Sequence, residues 1–313
     1  MLYIYFIIGL VLLAFGGDTL VKGAVGVANK LKISPLVVGI VLVGFGTSTP
    51  ELVASILSVF QKPPAPGIAV GNVIGSNIAN VLLVLGAAAL ITPIKIDMKN
   101  FKRDSSFLVI SSLALVVATF CGGLNFFGGI IFVAGLASYI YYCYHMESKN
   151  KKALKKMQKE IEETSPSKGS VLKDVVITFV GIGMTLIGAK LLVNSSITLA
   201  RQWGISETII GLTLVAVGTS LPELATSIVA SVRKQNDVAF GNIVGSNIYN
   251  ALFILGVVSL LTPINFPNDV WESLIIMCMV TLWLISLGIF HQISRKMGAL
   301  FLIAYAGYVV CLM

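Results

Sequence analysis

Charge is what this sequence has least of. Only 12% of its 313 residues are Asp, Glu, Lys or Arg, against about 25% in soluble domains, while 56% are hydrophobic and the mean hydropathy is +0.93. That balance excludes an ordinary soluble domain. The net charge of +8 does not point to nucleic acid, because the basic residues lie between apolar runs, where the positive-inside rule accounts for them. Histidine is nearly absent: His145 and His291 stand alone near the edges of apolar runs and read as interfacial residues. Cys121, Cys143, Cys278 and Cys311 lie in or beside apolar runs and form no C-x-x-C pair, so neither a zinc site nor a disulfide framework is expected. The first residues, running into Ile4–Phe15, lack the basic start and small-residue cleavage site of a signal peptide, and Asp18 follows at once. They read as the first membrane helix.

About 20 apolar residues span a bilayer as a helix. The sequence divides into ten such segments, near 2–26, 34–61, 67–91, 104–121, 124–145, 172–199, 206–232, 236–261, 269–290 and 297–312. The expected fold is an all-α integral membrane protein of ten transmembrane helices. A hydrophilic stretch, 146–171, rich in Lys and followed by Glu160, Glu162 and Glu163, separates the first five (1–145) from the last five (172–313). It is too short to fold into a regulatory domain and reads as a basic cytoplasmic linker. Placing it in the cytoplasm and alternating sides puts 18 of the 22 Lys and Arg inside and only Lys62 and Arg201 outside; Lys22 and Lys190 fall within segments. A multi-pass protein of the cell membrane with both termini outside is expected.

The two halves repeat. Gly44-Phe45-Gly46-Thr47-Ser48-Thr49-Pro50-Glu51 returns as Ala216-Val217-Gly218-Thr219-Ser220-Leu221-Pro222-Glu223, offset by 172 residues. Gly71-Asn72-Val73-Ile74-Gly75-Ser76-Asn77-Ile78-Ala79-Asn80 returns from Gly241 to Asn250, and Thr92-Pro93-Ile94 from Thr262 to Ile264, both offset by 170. Five spans per half is an odd number, so the second copy runs through the membrane in the opposite sense. Such inverted five-helix repeats place a transporter's substrate site near the midplane.

Most of the 14 acidic residues sit at the edges or in loops, Asp104 and Asp174 among them, and Asp18 has Lys22 four residues on as a helical partner. Glu51 and Glu223 alone remain at depth, with no basic partner in their own segments. A carboxylate there is protonated or holds a cation, and a symmetric pair with matched hydroxyls favours the cation. On a helix Gly44, Thr47, Ser48 and Glu51 share a face. Pro50 and Pro222 have no N–H, so the carbonyls of Gly46 and Gly218 lose a helical partner. Ser76 and Asn80, and Ser246 and Asn250, lie four apart on the second motif's helix. Gly71-x3-Gly75 and Gly241-x3-Gly245 suggest that this helix packs closely on the Glu helix. Carboxylates, hydroxyls and carbonyls are hard ligands suited to Na+ and Ca2+. Two Glu balance one Ca2+ or two Na+, and competition for that limited charge is a route to antiport.

With G-T-S-x-P-E and G-N-x-x-G-S-N both duplicated, the chain closely resembles the calcium/cation antiporter superfamily, in its prokaryotic sodium/calcium exchanger branch. The calcium/proton exchangers of that superfamily carry an acidic residue after G-N, absent here. The resemblance implies alternating-access exchange of Ca2+ for Na+, with the first helix of each half sliding against the other eight. It implies Ca2+ ligands at Glu51 and Glu223 with backbone oxygens at Thr47 and Thr219. It adds Na+ ligands at Ser48, Ser220, Ser76 and Ser246 and at the carbonyls of Gly44 and Ala216, with Asn80 and Asn250 at the centre. Some exchangers carry Asp where Asn250 stands and Ala where Gly44 stands, which leaves the stoichiometry and any part played by K+ or H+ open. The alternatives are a Ca2+/H+ (or other divalent cation/H+) antiporter on the same fold and, in another class, a passive cation channel. An enzyme is disfavoured because no nucleophile or metal-binding His accompanies the Glu pair at depth. No cofactor is expected, nor any partner beyond the two ions and the bilayer.

Overall fold

The computed structural model describes residues 2–31, 33, 35–60, 62, 64, 66–96, 98–148, 170–202, 216–266 and 270–311. The helices are α1 (Leu2–Leu31), α2 (Gly39–Thr47, entered through the helical turn Pro35–Val38), α3 (Thr49–Phe60), α4 (Pro66–Ile91), α5 (Met98–Phe120) and α6 (Phe126–Ser148) in the first half. The second half has α7 (Val171–Gln202), α8 (Ala216–Thr219), α9 (Leu221–Val232), α10 (Asn236–Leu261), α11 (Val270–Ser286) and α12 (Arg295–Cys311). Among the described residues six helices are long and apolar enough to cross a membrane, or seven if α2 and α3 form one bent span. The shorter helices α9, α11 and α12 fall on three more of the expected segments. Residues 203–215 of the expected segment 206–232, and most of the linker 146–171, lie outside the described residues.

Burial decides which helices are central. In α4 and α10 the apolar window is 72% and 83% buried, against 33% in α1 and 28% in α6. These two carry the G-N-x-x-G-S-N segments, and they touch where Asn77 Nδ2 donates to the Asn247 carbonyl (3.1 Å) and Asn247 Nδ2 donates to the Asn77 carbonyl (3.2 Å). The bonds are reciprocal and join residues 170 apart, so the pair lies on the axis relating the halves. The strand after each helix touches the beginning of the other, β1 (Ile94–Lys95) with α10 and β3 (Ile264–Asn265) with α4. The two therefore run antiparallel, as an inverted repeat requires.

Among the described residues four two-residue strands tie the halves together, an addition to the all-helical expectation. β1 pairs antiparallel with β4 (Gln292–Ile293), and β2 (Gly123–Leu124) pairs with β3, so each ribbon takes one strand from each half. Gly123 has φ +141°, and a Cβ there would stand 2.0 Å from the Ile264 carbonyl oxygen, so only glycine closes that ribbon.

α1 and α7 are longer than their apolar windows because ion pairs absorb the charges at their ends. Lys30 Nζ lies 2.5 Å from Asp174 Oδ2, both side chains largely buried, and also donates to the Ser170 carbonyl at 3.2 Å. Asp18 pairs with Lys22 on its own helix (2.8 Å), as expected, and with Arg233 just beyond α9. Asp104 is buried too, held by Arg103 at 2.6 Å and by the Tyr139 hydroxyl at 3.1 Å. Asp104 and Asp174 lie near the starts of α5 and α7, and their burial is what the sequence reading did not anticipate. Both carboxylates are covered by the protein, and a neighbouring cation offsets the cost. Lys30→Met removes the cation beside Asp174 and should cost about 3 kcal/mol, as for other broken buried pairs. The expected result is a clearly lowered thermal midpoint of the purified protein, with a smaller drop for the paired Lys30→Met/Asp174→Asn variant.

Candidate functional site

The helix that carries the first motif breaks at Ser48, where φ −79° and ψ 8° replace helical values, and α2 and α3 diverge by 48°. Ser220 makes the same break between α8 and α9 (φ −85°, ψ 4°). In both copies Pro then takes the second position of the new helix, where a missing N–H costs nothing. Glu51 and Glu223 follow directly, in the first turns of α3 and α9. Opposite them, α4 and α10 widen into π-helical turns at Asn80–Leu85 and Tyr249–Ile254, which begin at or beside Asn80 and Asn250.

Both carboxylates are buried, Glu51 at 1% and Glu223 at 0% exposure. Unlike Asp104 and Asp174, neither has a basic partner among the described residues. Their neighbours are hydroxyls, and these cross between the halves. Ser48 Oγ donates to Glu223 Oε1 at 3.2 Å, joined at 3.4 Å by Ser246 from α10. Ser76 and Thr219 are the hydroxyls that reach Glu51. Ser246 also lies 3.4 Å from the Gly44 carbonyl, and Thr47 Oγ1 lies 3.4 Å from the same oxygen. Asn80 Nδ2 donates to Asn247 Oδ1 at 2.9 Å.

Several buried polar atoms are left without a hydrogen-bond partner: Glu51 Oε2, Glu223 Oε2, Asn80 Oδ1, Ser220 Oγ and both amide atoms of Asn250. Orphaned atoms of this kind are rare in folded interiors. Five of the six are oxygens, the acceptors a hard cation would take. The described residues hold no group of three or more His, Cys, Asp or Glu, so two carboxylates set the charge available here. The structure thus gathers Gly44, Thr47, Ser48 and Ser246 around Glu223, and Ser76 and Thr219 beside Glu51, with the two carboxylates close enough to influence each other. Asn80 is bonded to Asn247, the residue after Ser246, and Ala216 stands at the start of α8.

The sequence reading missed an inner set of asparagines. Asn72 Nδ2 donates to the Glu51 carbonyl (3.0 Å) and to Ser55 Oγ (2.9 Å). Asn242 does the same for the Glu223 carbonyl (3.4 Å) and Ser227 Oγ (3.0 Å). The signal was present, because Asn72/Asn242 and Asn77/Asn247 are polar residues at membrane depth recurring at the 170 offset. The glycines of that motif are also not equivalent. A Cβ at Gly245 would stand 2.7 Å from the Ile40 backbone, whereas at Gly71 and Gly75 no described atom lies within 4 Å. The close packing expected of both copies is therefore seen in one, and its partner is α2. The residues that correspond to α2 around Ile40 in the second half lie outside those described.

Comparison with known proteins shows the family. The sequence profile of the family described as Sodium/calcium exchanger protein matches residues 1–145 and 173–313. The putative antiporter CaxA of Alkalimonas amylolytica is 36% identical over 97% of this chain and 96% of its own length. The sodium/calcium exchanger MaX1 of Methanosarcina acetivorans is 33% identical over 99% and 98%. Among solved structures, the sodium-calcium exchanger NCX_Mj soaked with 10 mM Na+ and zero Ca2+ superposes with a TM-score of 0.82 at 30% identity, covering 100% of both chains. The chain belongs to the sodium/calcium exchanger family, as its duplicated motifs implied.

Proposed function

We propose that the protein is a secondary-active antiporter that exchanges Ca2+ for Na+ across the cell membrane by alternating access. The observation that carries this reading is the Glu51–Glu223 pair: two buried carboxylates without a basic partner among the described residues, linked across the halves by Ser48. Their combined charge of −2 is neutralised by one Ca2+ or by two Na+, so either load gives a neutral site, and the two loads exclude one another. A loaded, neutral site can pass the low-dielectric interior, while an empty one carries two uncompensated charges. That difference favours exchange over leak.

The ligands follow the residue types. Glu51 and Glu223 with the carbonyls of Thr47 and Thr219 take Ca2+. Ser48, Ser220, Ser76, Ser246 and the carbonyls of Gly44 and Ala216 add Na+ positions, and Asn80 and Asn250 stand at the centre. Any Na+ beyond the two that the carboxylates balance rests on neutral oxygens. The moving part is the α1–α7 pair. Ile182 of α7 covers Gly46 and Val193 covers Gly218, so sliding this pair opens the site to one side or the other. The architecture is ten spans in two inverted repeats, 1–145 and 172–313, joined by the basic linker 146–171 in the cytoplasm, with both termini outside.

The test is 45Ca2+ uptake into proteoliposomes loaded with Na+ or with choline, each with and without a pH gradient. Uptake that requires internal Na+ and ignores the pH gradient is expected. Uptake driven by the pH gradient alone would replace this reading with Ca2+/H+ exchange, and uptake without any counter-ion would indicate a channel.

A further inference from the structure

Asn242 is not among the proposed ligands, yet it is fully buried and hydrogen-bonds a ligand residue in each half. From α10 its amide nitrogen serves the Glu223 carbonyl and Ser227 Oγ of α9, while its amide oxygen lies 3.1 Å from Thr47 Oγ1 on α2. The orientation of the amide follows from its neighbours. Reversed, it would set its oxygen against the Glu223 carbonyl, acceptor against acceptor.

That orientation decides where the Thr47 proton goes. Four acceptors lie near the hydroxyl: the Val43 carbonyl at 3.1 Å, the Gly44 carbonyl at 3.4 Å, Asn242 Oδ1 at 3.1 Å and the Glu223 carboxylate. A hydroxyl has one proton. A threonine on a helix ordinarily spends it on the carbonyl three or four residues back. Here Asn242 Oδ1 is an acceptor that the Thr47 hydroxyl satisfies, whereas the Val43 and Gly44 carbonyls also have the helical backbone to serve them and the Glu223 carboxylate has Ser48 and Ser246. The Gly44 carbonyl receives the Ser48 N–H at 3.0 Å, and with the single proton of Ser246, 3.4 Å from both oxygens, given to Glu223 Oε1, it keeps a lone pair directed elsewhere.

We propose that Asn242 is a positioning residue for the Na+ load: it captures the Thr47 hydroxyl across the boundary between the halves, leaves the Gly44 carbonyl to the ion, and locks α2 to the turn that carries Glu223. The effect falls on Na+ more than on Ca2+. Ca2+ binding is dominated by the two carboxylates, whereas part of the Na+ load depends on neutral oxygens, for which the direction of one carbonyl counts. The inference rests on the Na+/Ca2+ reading given above.

The experiment uses the full-length purified protein with 45Ca2+ as the probe, measuring both its affinity and the Na+ concentration that displaces half of it. Thr47→Val replaces the hydroxyl with a methyl of similar size and leaves the backbone carbonyl in place. It should raise the half-displacing Na+ concentration about fivefold, the worth of one buried hydrogen bond, and weaken 45Ca2+ binding by a clearly smaller factor. Thr47→Ser, which keeps the hydroxyl, should recover most of that shift. Asn242→Ala should act in the same direction, and Asn242→Ala/Thr47→Val should be no worse than Asn242→Ala alone, because the two residues act through one bond. An unchanged Na+ requirement in Thr47→Val would overturn the proposal, as would equal weakening of both ions. A double variant equal to the product of the singles would also overturn it. Thr47→Val keeps the test decisive if Asn242→Ala does not fold. A wild-type protein whose bound 45Ca2+ is not displaced by Na+ would instead break the exchanger reading itself.

Discussion

Replacing Glu51 or Glu223 with Gln abolishes Na+-driven 45Ca2+ uptake, with at least a 100-fold loss of Ca2+ affinity. The magnitude follows from charge. At an effective dielectric of about 20, a unit negative charge about 3 Å from a divalent ion contributes about 11 kcal/mol before desolvation. If desolvation cancels three quarters of this, the remaining ~3 kcal/mol still corresponds to about 100-fold. The Coulomb term for Na+ is half as large, and a site with one carboxylate still balances one Na+. Na+ binding should therefore weaken by a smaller factor than Ca2+ binding. Equilibrium 45Ca2+ binding to the purified Gln variants checks this, with Na+ displacement measured on whatever binding remains at high Ca2+. Wild-type Ca2+ affinity in either variant would mean that the transported charge is balanced elsewhere. The buried carboxylates Asp104 and Asp174 make the comparison informative, since each already has a cation beside it. Their neutralisation should alter stability with little change in the ratio of Ca2+ to Na+ affinity.

The chain yields some of this to a reader of residues and withholds the rest for physical reasons. Offsets of 172 and 170 exposed the repeat because inverted halves must solve the same packing problem twice. The Glu pair stood out because a carboxylate is conspicuous in an apolar run. A one-dimensional window cannot find a partner 144 residues away, so Lys30 counted only as one more basic residue between segments when it is a buried half of an ion pair with Asp174. The same blindness hid Asn242, whose contact with Thr47 spans 195 positions. The two-residue ribbons have no periodicity to detect. The break at Ser48 lies two residues before Pro50, so the proline located it only approximately. The glycine spacing marked a close approach without naming its partner: Gly245 meets the backbone of Ile40 in the other half, a contact between distant positions that no window sees.

The glycines of α1 and α7 carry the second large effect. Gly9, Gly16 and Gly23 recur every seven residues along α1, and Gly181 and Gly188 recur at the same interval on α7. A Cβ on Gly9 would stand 2.8 Å from Leu192 N, on Gly16 2.8 Å from Thr185 N, and on Gly188 2.8 Å from Leu13 N; on Gly181 it would stand 2.4 Å from Leu20 N and 2.6 Å from Leu20 Cα. These are backbone atoms, which cannot rotate aside as a side chain can. The two helices are in contact main chain to main chain, the arrangement small residues permit in membranes, where association depends on close packing rather than on the hydrophobic effect. Gly181→Leu should therefore force the pair apart and abolish exchange. It should also lower the thermal midpoint well below that of Gly183→Leu, because a Cβ at Gly183 meets no described atom within 4 Å. Gly181→Ala should fall between the two. Ile182, next in sequence, lies over Gly46, so a displaced α7 also uncovers the first motif. The loss of exchange should then exceed what the stability change alone accounts for at the assay temperature. Full exchange in a stably folded Gly181→Leu protein would show that α1 and α7 need not travel together, and the sliding pair would have to be replaced by two independently moving helices.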